Sequence, residues 1–466
     1  MRSAFYGLEI AKKALQAQQV AMDIAGHNIA NANTVGYTRQ LPKFTQQTNP
    51  IGGLFVPPHL KNLGSGVLVD EIRRIRDRYL DLQLRQESRS ATYWETIDKG
   101  LEQIEVIFGE PNEGGLSKVF DNFWNTWQEL AKSPESSAAR SLVLEAGDLL
   151  AKAFRDTYSR LERQQVQLNE EIAVKVGEVN SYLQQIYDIN RQIVRVSAGG
   201  GNINDYRDQL DVLVDKLSQI LNFQVKDNED GTYTLVLQGQ ILVSGKEQNT
   251  LSLDTDPATG LYGVRLATSG ETLRLAYQDG EMRALFDLRD QSVEEYKGYL
   301  NRLADDLMAA VNMLHRSGYT LETPPVKGED FFTGSGASGI AVNPVVAGDI
   351  NKLAASATGA PGDGSVALAI ARIRDRKVID GASATPDSYY RGFVSRLGAQ
   401  RQEVGRLASN QKILVDQLNL RKESVSGVSL DEEMTNLIKY QHAYQAASIL
   451  VNTIDGMLET LISWMR

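Results

Sequence analysis

The chain has no cysteine in its 466 residues, which excludes disulfide staples, thiol nucleophiles and zinc–thiolate sites. Histidine is nearly as scarce. His27, His59, His315 and His442 are scattered, without an HExxH pair or any comparable metal-binding spacing. No apolar run approaches the ~20 residues of a membrane-spanning helix. A cationic excess is also missing: 49 Lys and Arg against 59 Asp and Glu give a net charge of −10. A general nucleic-acid binder needs the opposite balance on one face. The opening MRSAFYGLEIAKKALQAQQ lacks the apolar core and cleavage site of a secretory signal, so composition alone points to the cytoplasm. The length is too great for one compact core and implies two to four domains.

Catalytic motifs are absent too. Gly334-Ser335-Gly336-Ala337-Ser338-Gly339 matches G-x-G-x-x-G. A dinucleotide site needs a strand before that string and a helix after it, and here loop and Asn343-Pro344 follow. No phosphate-binding G-x-x-x-x-G-K-[ST] loop or G-x-S-x-G elbow occurs. Carboxylate pairs such as Asp305-Asp306 and Glu294-Glu295 are adjacent on expected helices, where neighbours do not face each other. Arg73, Arg74, Arg76 and Arg78 are interleaved with Asp70, Glu71, Asp77 and Asp81, so salt bridges are expected rather than nucleic-acid contact. No enzyme activity, cofactor or metal is expected.

What is present is concentrated at the two ends. Leu8, Ala11, Leu15, Gln18, Met22, Ala25, Ile29 and Ala32 alternate spacings of three and four, the pattern of a narrow helix–helix seam. That helix should stop near Asn33, with Gly36 taking a positive φ in the turn. At the other end, Leu437, Tyr440, Tyr444, Ala447, Val451, Ile454, Leu458, Leu461 and Met465 hold the same spacing. Ser429 followed by Glu432 reads as a capping box, and Asp431, Glu432 and Glu433 suit a helix N-terminus. Asn28, Asn31 and Asn33 have an ordinary reading as helix-end caps. The sharper reading is that buried Asn side chains fix helix register between subunits.

Between the ends, residues 34–75 should be extended and irregular, with one strand at 67–72. A helix is expected from about 77 to 108, ended by Gly109 and Pro111. A shorter one at 116–131 carries Phe120, Phe123, Trp124 and Trp127 into the core. A proline-free stretch from about 138 to 196 would make a helix roughly 90 Å long, too long to cover a globule. Another helix follows at 203–221. The period then changes to two around Asp230-Gly231, a hairpin signal, with strand-like pieces running on through Leu273–Leu275. Helices resume at 285–315, 364–376 and 387–425. The expected architecture is mainly α with a β insert: an elongated multi-domain protein with terminal coiled-coil helices, a long helical bundle and a small inserted β domain. The divisions are 1–33 with 428–466 for terminal assembly, 34–221 with 285–427 for a discontinuous bundle, and 222–284 for an outward-facing β domain.

The string NIANANTVGYTRQ at 28–40 resembles the signature of bacterial flagellar axial proteins, the rod, hook and hook-associated proteins. Asn28, Ala30, Asn31, Asn33, Thr34, Gly36 and Tyr37 match its shared core. Thr38-Arg39-Gln40 narrows the resemblance to the hook-associated branch at the hook–filament junction. Gly64-Ser65-Gly66-Val67 with Arg74, Asp77 and Leu80, and the stretch from Ser429 to Trp464, resemble two further blocks of that family. The resemblance is specific over about 1–85 and 425–466 and weak between them. It implies a structural subunit whose terminal helices pair as the inner wall of a helical tube. Leu8, Leu15, Met22 and Ile29 at one end, and Leu437, Tyr440, Tyr444, Val451, Ile454, Leu458 and Leu461 at the other, would form the assembly interface. Implied partners are copies of the chain itself, hook protein, the next hook-associated protein on the filament side, an export chaperone and the type III export apparatus. Nucleic acid and membrane insertion are not implied. The implied location is extracellular, reached without a cleaved signal peptide. The alternatives are a distal rod or hook protein, or a surface-displayed enzyme or adhesin on such a scaffold.

Overall fold

In the computed structural model, residues 3–47, 64, 66–109, 115–267, 270, 272 and 279–464 are described, without the side chains of 3–5 and 461. The first helix, α1 (Ser3–Ala30), leads through a turn to an antiparallel hairpin of β1 (Gln40–Gln46) and β2 (Val67–Arg74). Then come α2 (Arg78–Phe108), α3 (Leu116–Lys132), α4 (Ser137–Ala198) and α5 (Asn204–Ile220). Strands β3 (Gln224–Asp227), β4 (Tyr233–Leu237) and β5 (Gln240–Val243) form one antiparallel sheet in that order, and β6 (Leu251–Thr255) pairs with β7 (Tyr262–Leu266). Helix α6 (Glu281–Asp287) continues through a π turn at Leu288–Ser292 into α7 (Val293–Ser317). A compact connection holds β8 (Phe332–Thr333), α8 (Gly336–Gly339), β9 (Ala341–Val342) and α9 (Pro344–Ala347). Helices α10 (Ser365–Ala371), α11 (Pro386–Ser426) and α12 (Leu430–Trp464) complete the order.

The helix starts and stops follow local chemistry. Asp77 caps α2 by accepting the N–H groups of Tyr79 and Leu80, and Gly109 ends it at φ 63°. Ser136 caps α4 through the N–H of Ala139. Thr385 and Ser388 complete a capping box on α11, with Pro386 in the first turn. The box expected at Ser429 forms only in part. The Ser429 hydroxyl receives the Glu432 N–H at 3.5 Å, but the Glu432 carboxylate turns away to Arg39 at 2.6 Å. A full positive charge outcompetes the Ser429 N–H for that carboxylate.

Helix α4 has 62 residues, about 93 Å at 1.5 Å per residue. Its buried stripe, from Val143 through Leu161 and Ile172 to Ile193, runs nearly its whole length in one continuous core. The aromatics of α3 lie in that core: Phe120, Phe123, Trp124 and Trp127 are all at most 3% exposed. Helices α2 and α11 pack antiparallel, with Arg401 on Glu102 and Glu105 and Gln411 on Glu87. Their far ends share a small separate cluster of Leu80, Leu84 and Leu418.

The strand region shares its core with the helices. Tyr233, Leu235, Leu237, Leu242, Val243, Leu251, Val264 and Leu266 belong to the same core as the helices. Three asparagines on α4 fasten the strands to it. Asn190 exchanges two hydrogen bonds with the backbone of Tyr233, Asn180 two with Leu251, and Asn169 accepts the N–H of Tyr262. The π turn swings Arg289 inward, where it donates to Asn169 and to the Tyr262 carbonyl. Gln165 satisfies the Arg289 carbonyl, which such a turn frees from the helix ladder. Period two identified these strands but could not show that their faces are completed by a helix sixty residues upstream. Of the strand-like pieces, Leu273–Leu275 lies outside the described residues, as do Pro50, Pro57, Pro58, Pro111 and Met465.

The G-x-G-x-x-G string is likewise accounted for. The N–H of Gly336 goes to Asp305 and that of Ala337 to Asn301, both side chains of α7. Those amides are spent on the fold.

His315 is fully buried between Trp127 and Phe331. Its Nδ1–H donates to the Glu329 carbonyl, and its Nε2 accepts the N–H of Ala354 at 2.9 Å. The ring is thus held neutral, and burial lowers its pKa to about 4. Below pH 6.5 the unfolded chain binds the proton and the folded one does not, so this contribution is complete above 6.5 and lost as pH falls towards 4. About 3 kcal/mol of stability should disappear over that window. His315→Gln, which keeps one donor and one acceptor, should flatten the window in urea titrations between pH 7 and 4. Equal pH slopes in the two proteins would contradict this role.

Candidate assembly interface

Helices α1 and α12 lie antiparallel along each other. Asn28 bonds Glu433, and a Cβ on Gly7 would lie 3.1 Å from the end methyl of Ile454, a close approach of the two helices. Both pairs sum to 461, so one register holds over 21 residues, about three heptads. The buried positions on α1 are Ala11, Ala17, Ala21, Ala25 and Asn28, all small or short, and Ile24. Leu8, Leu15, Met22 and Ile29 are partly buried at its flanks. On α12, Ala447 and Ile454 are buried, while Leu437, Tyr440, Tyr444, Val451 and Leu458 are partly buried. The side chain of Leu461 lies outside the described residues. The seam brings the expected stripes together within one chain, with alanines at its centre because two helices without a third approach closely only over small side chains.

A polar knot closes one end of this pair. Asn28 is fully buried and uses all four of its hydrogen-bonding positions. Its Nδ2 donates to the Gln40 carbonyl at 2.8 Å and to Glu433 Oε2 at 2.9 Å. Its Oδ1 accepts from the Tyr37 hydroxyl at 2.7 Å and the Gln40 N–H at 3.0 Å. Burial, with Asp205, Asp208 and Glu433 nearby, pushes the Tyr37 hydroxyl up, so it stays protonated and donates. Within the chain, Asn28 holds α1 to α12 and to the turn that follows α1. Asn31 is a local cap: it donates to the His27 carbonyl and accepts from the Thr34 hydroxyl. Asn33 and Thr34 are exposed. Gly36 takes φ 82°, and a Cβ there would lie 2.1 Å from a methyl of Val212. Both the turn and its contact with α5 demand glycine.

The next three residues tie the knot to the rest of the molecule. The Thr38 N–H donates to Asp208 at 3.0 Å. Arg39 pairs with Glu432 and with Glu433, which is 1% exposed. Gln40 donates to Asp205 and accepts from Asn204.

Below the knot, a charged network joins the hairpin to α5. Asp211 accepts from Arg74 at 2.9 Å, from Arg76, from Arg85 at 3.2 Å and from the Tyr233 hydroxyl at 2.8 Å. Asp208 takes Arg74, Asp81 takes Arg76, and Asp215 takes Arg85 and Lys422. Four cations thus face four carboxylates. The arginine run does make salt bridges, but mostly with α5 across the fold; Asp81 is the one sequence neighbour used by Arg76. Asp205, Asp208, Asp211 and Asp215 recur at three, three and four residues, an acidic helix face. That spacing was visible in the sequence and is the signal that would have identified α5 as the partner.

Among the described residues, no group of three or more acidic or histidine side chains is placed to hold a metal ion, and no helix is long and apolar enough to cross a membrane.

Residues 101–332 match the flagellar hook-associated protein FlgK helical domain. Residues 8–38 match the flagella basal body rod protein family, and 423–463 the flagellar basal body rod FlgEFG protein C-terminal family. The chain is 33% identical to flagellar hook-associated protein 1 of Bacillus subtilis (strain 168), covering 100% of this chain and 99% of that one. It is 25% identical to the protein of that name from Escherichia coli (strain K12), covering 97% and 98%. The solved structure of the flagellar hook junction protein FlgK from Burkholderia pseudomallei covers 74% of this chain and all of its own at a TM-score of 0.63 and 16% identity, a likeness of fold. The chain belongs to the flagellar hook-associated protein 1 family, structural proteins of the junction between the flagellar hook and filament.

Proposed function

We propose that the paired terminal helices build the chain into the wall of a helical tube between hook and filament. One observation carries this reading: α12 is apolar on two faces. The face containing Glu433, Ala447 and Ile454 is covered by α1. The opposite side presents Met434, Ile438 and Ile449, with Met457 and Trp464 at the flank between the two, each at least 48% exposed. An apolar face of that length is the mark of an interaction surface. Copies of the chain are its occupants, repeating a heterologous contact that does not close. Hook protein bounds the assembly on one side and the next hook-associated protein on the other. Residues 1–33 and 428–466 are the assembly unit, and 34–427, strands included, form the body around it. The chain reaches the outside by type III export with an export chaperone, without a cleaved signal peptide, and performs no catalysis. Deleting the gene should leave hooks intact and filaments absent, with unpolymerised flagellin in the medium. Normal filaments in that strain would reject the proposal.

A further inference from the structure

A cleft of about 520 Å³ between β2, the start of α2 and the β3–β4 sheet carries a sign of charge that the whole chain lacks. Arg73, Arg74, Arg76, Arg78, Arg85 and Arg207 line it, against Glu71, Asp81, Asp211 and Asp227. Asp208 and Asp215, behind this lining, neutralise Arg74 and Arg85 as well, so Arg73, Arg78 and Arg207 against Glu71 and Asp227 leave an excess of one, in a protein of net charge −10. The excess can be located. Arg74, Arg76 and Arg85 belong to the balanced network on α5. Arg78 and Arg207 share the single carboxylate of Asp227. Arg73 is exposed and makes no ion pair among the described residues. Behind the cleft wall, two donors of its lining residues are also left over. Arg207 Nε is buried without an acceptor, and so is Nη2 of Arg76, whose side chain is 9% exposed. Buried guanidinium N–H groups are normally paired. The ring of Tyr233, 5.8 Å from the Arg207 guanidinium, helps to set the position of that planar fork.

We infer that this cleft is an oxyanion site, taking a carboxylate or an inorganic oxyanion on Arg207, Arg73 and Arg78. A planar guanidinium fork matches the two oxygens of such a group, and the one excess charge is what a bound carboxylate neutralises. The anion comes either from solution or from an Asp or Glu side chain of a neighbouring copy. The site is independent of the tube proposed above, because it is complete in one chain.

The test is thermal unfolding of the purified full-length chain in inorganic phosphate and in acetate, against sodium chloride at matched ionic strength. Wild type should show a saturable rise of about 2 °C beyond the chloride control. General salt stabilisation by phosphate is linear and indifferent to single residues. Arg73→Ala, which removes no structural contact, and Arg207→Gln should each lose the saturable part. A shift that is linear in anion concentration and the same in all three proteins would overturn the site. Isolated flagella then distinguish the sources. If saturating phosphate and Arg73→Glu both loosen the junction, a neighbour's carboxylate is the occupant. If neither does, the anion is drawn from solution. Either result retains the site.

Discussion

A chain carrying Ile438→Asp and Ile449→Asp is expected to be exported and to build no filament. The two positions are eleven residues apart, three helical turns, and so share one side of α12. Ala447 and Ile454, which face α1, point the opposite way. The substitutions leave the α1–α12 seam intact and place two carboxylates where the proposed tube requires an apolar contact. An unpaired charge buried in such an interface costs several kcal/mol, and the penalty recurs at each copy. Circular dichroism of the secreted protein should match wild type, while motility and filament number fall to the level of the deletion strain. Leu458→Asp tests the other face: it should loosen α1 from α12 within the monomer, as faster proteolysis of both ends. A motile Ile438→Asp, Ile449→Asp strain would show that the uncovered face is not an assembly surface.

Removing one carboxylate from the charged network is expected to have the largest effect on the isolated chain. Asp211 is the acceptor common to Arg74, Arg76, Arg85 and Tyr233. Asp211→Ala leaves three guanidinium groups beside a hole. Breaking a buried pair in this way costs about 3–5 kcal/mol. Burial opposes the charged form of Asp211, but Arg76, Arg74 and Arg85 together hold its pKa below the ordinary carboxylate value. Its contribution is therefore complete above about pH 3.9 and is lost as pH falls through the lowered value. Asp211→Asn keeps one acceptor oxygen and should lose less. Urea midpoints at pH 7 measure both variants, and a loss under about 1 kcal/mol in Asp211→Ala would show that the network adds little to stability.

The two kinds of structure in this chain were unequally visible in its residues. Helices α2, α4, α5 and α11 were legible because their apolar residues repeat at helical spacing and their ends carry Asp77, Gly109, the glycines at 199–201 and Pro386. The β3–β4 hairpin was legible through Asp230-Gly231, with Gly231 at φ 85°. Strand β1 was not. QLPKFTQ contains a proline and does not alternate, and it is a strand because β2 pairs with it and both lie beside α1. The same limit applied to the asparagines. Asn28 and Asn33 have the same local propensities, and only Gln40, Tyr37 and Glu433, brought together by the fold, separate a buried four-bond hub from an exposed turn residue. Large apolar residues at spacings of three and four marked a stripe on each terminal helix, but which members are fully buried depended on how closely the two helices approach.

The asparagine fastenings on α4 carry a constraint of commensurability. Asn169, Asn180 and Asn190 are spaced eleven and ten residues apart, each near three turns, and the strands they hold advance at about 3.3 Å per residue against 1.5 Å for the helix. Inserting one residue between two anchors turns the second by about 100° and carries it off its strand. Inserting a whole number of turns restores the direction but moves the anchor about 5.4 Å per turn along the axis, a distance the strands can match only by growing one or two residues themselves. The helix and the strand region thus behave as two rulers with different graduations, clamped together at three marks. Neither can be lengthened between the clamps without a matched change in the other.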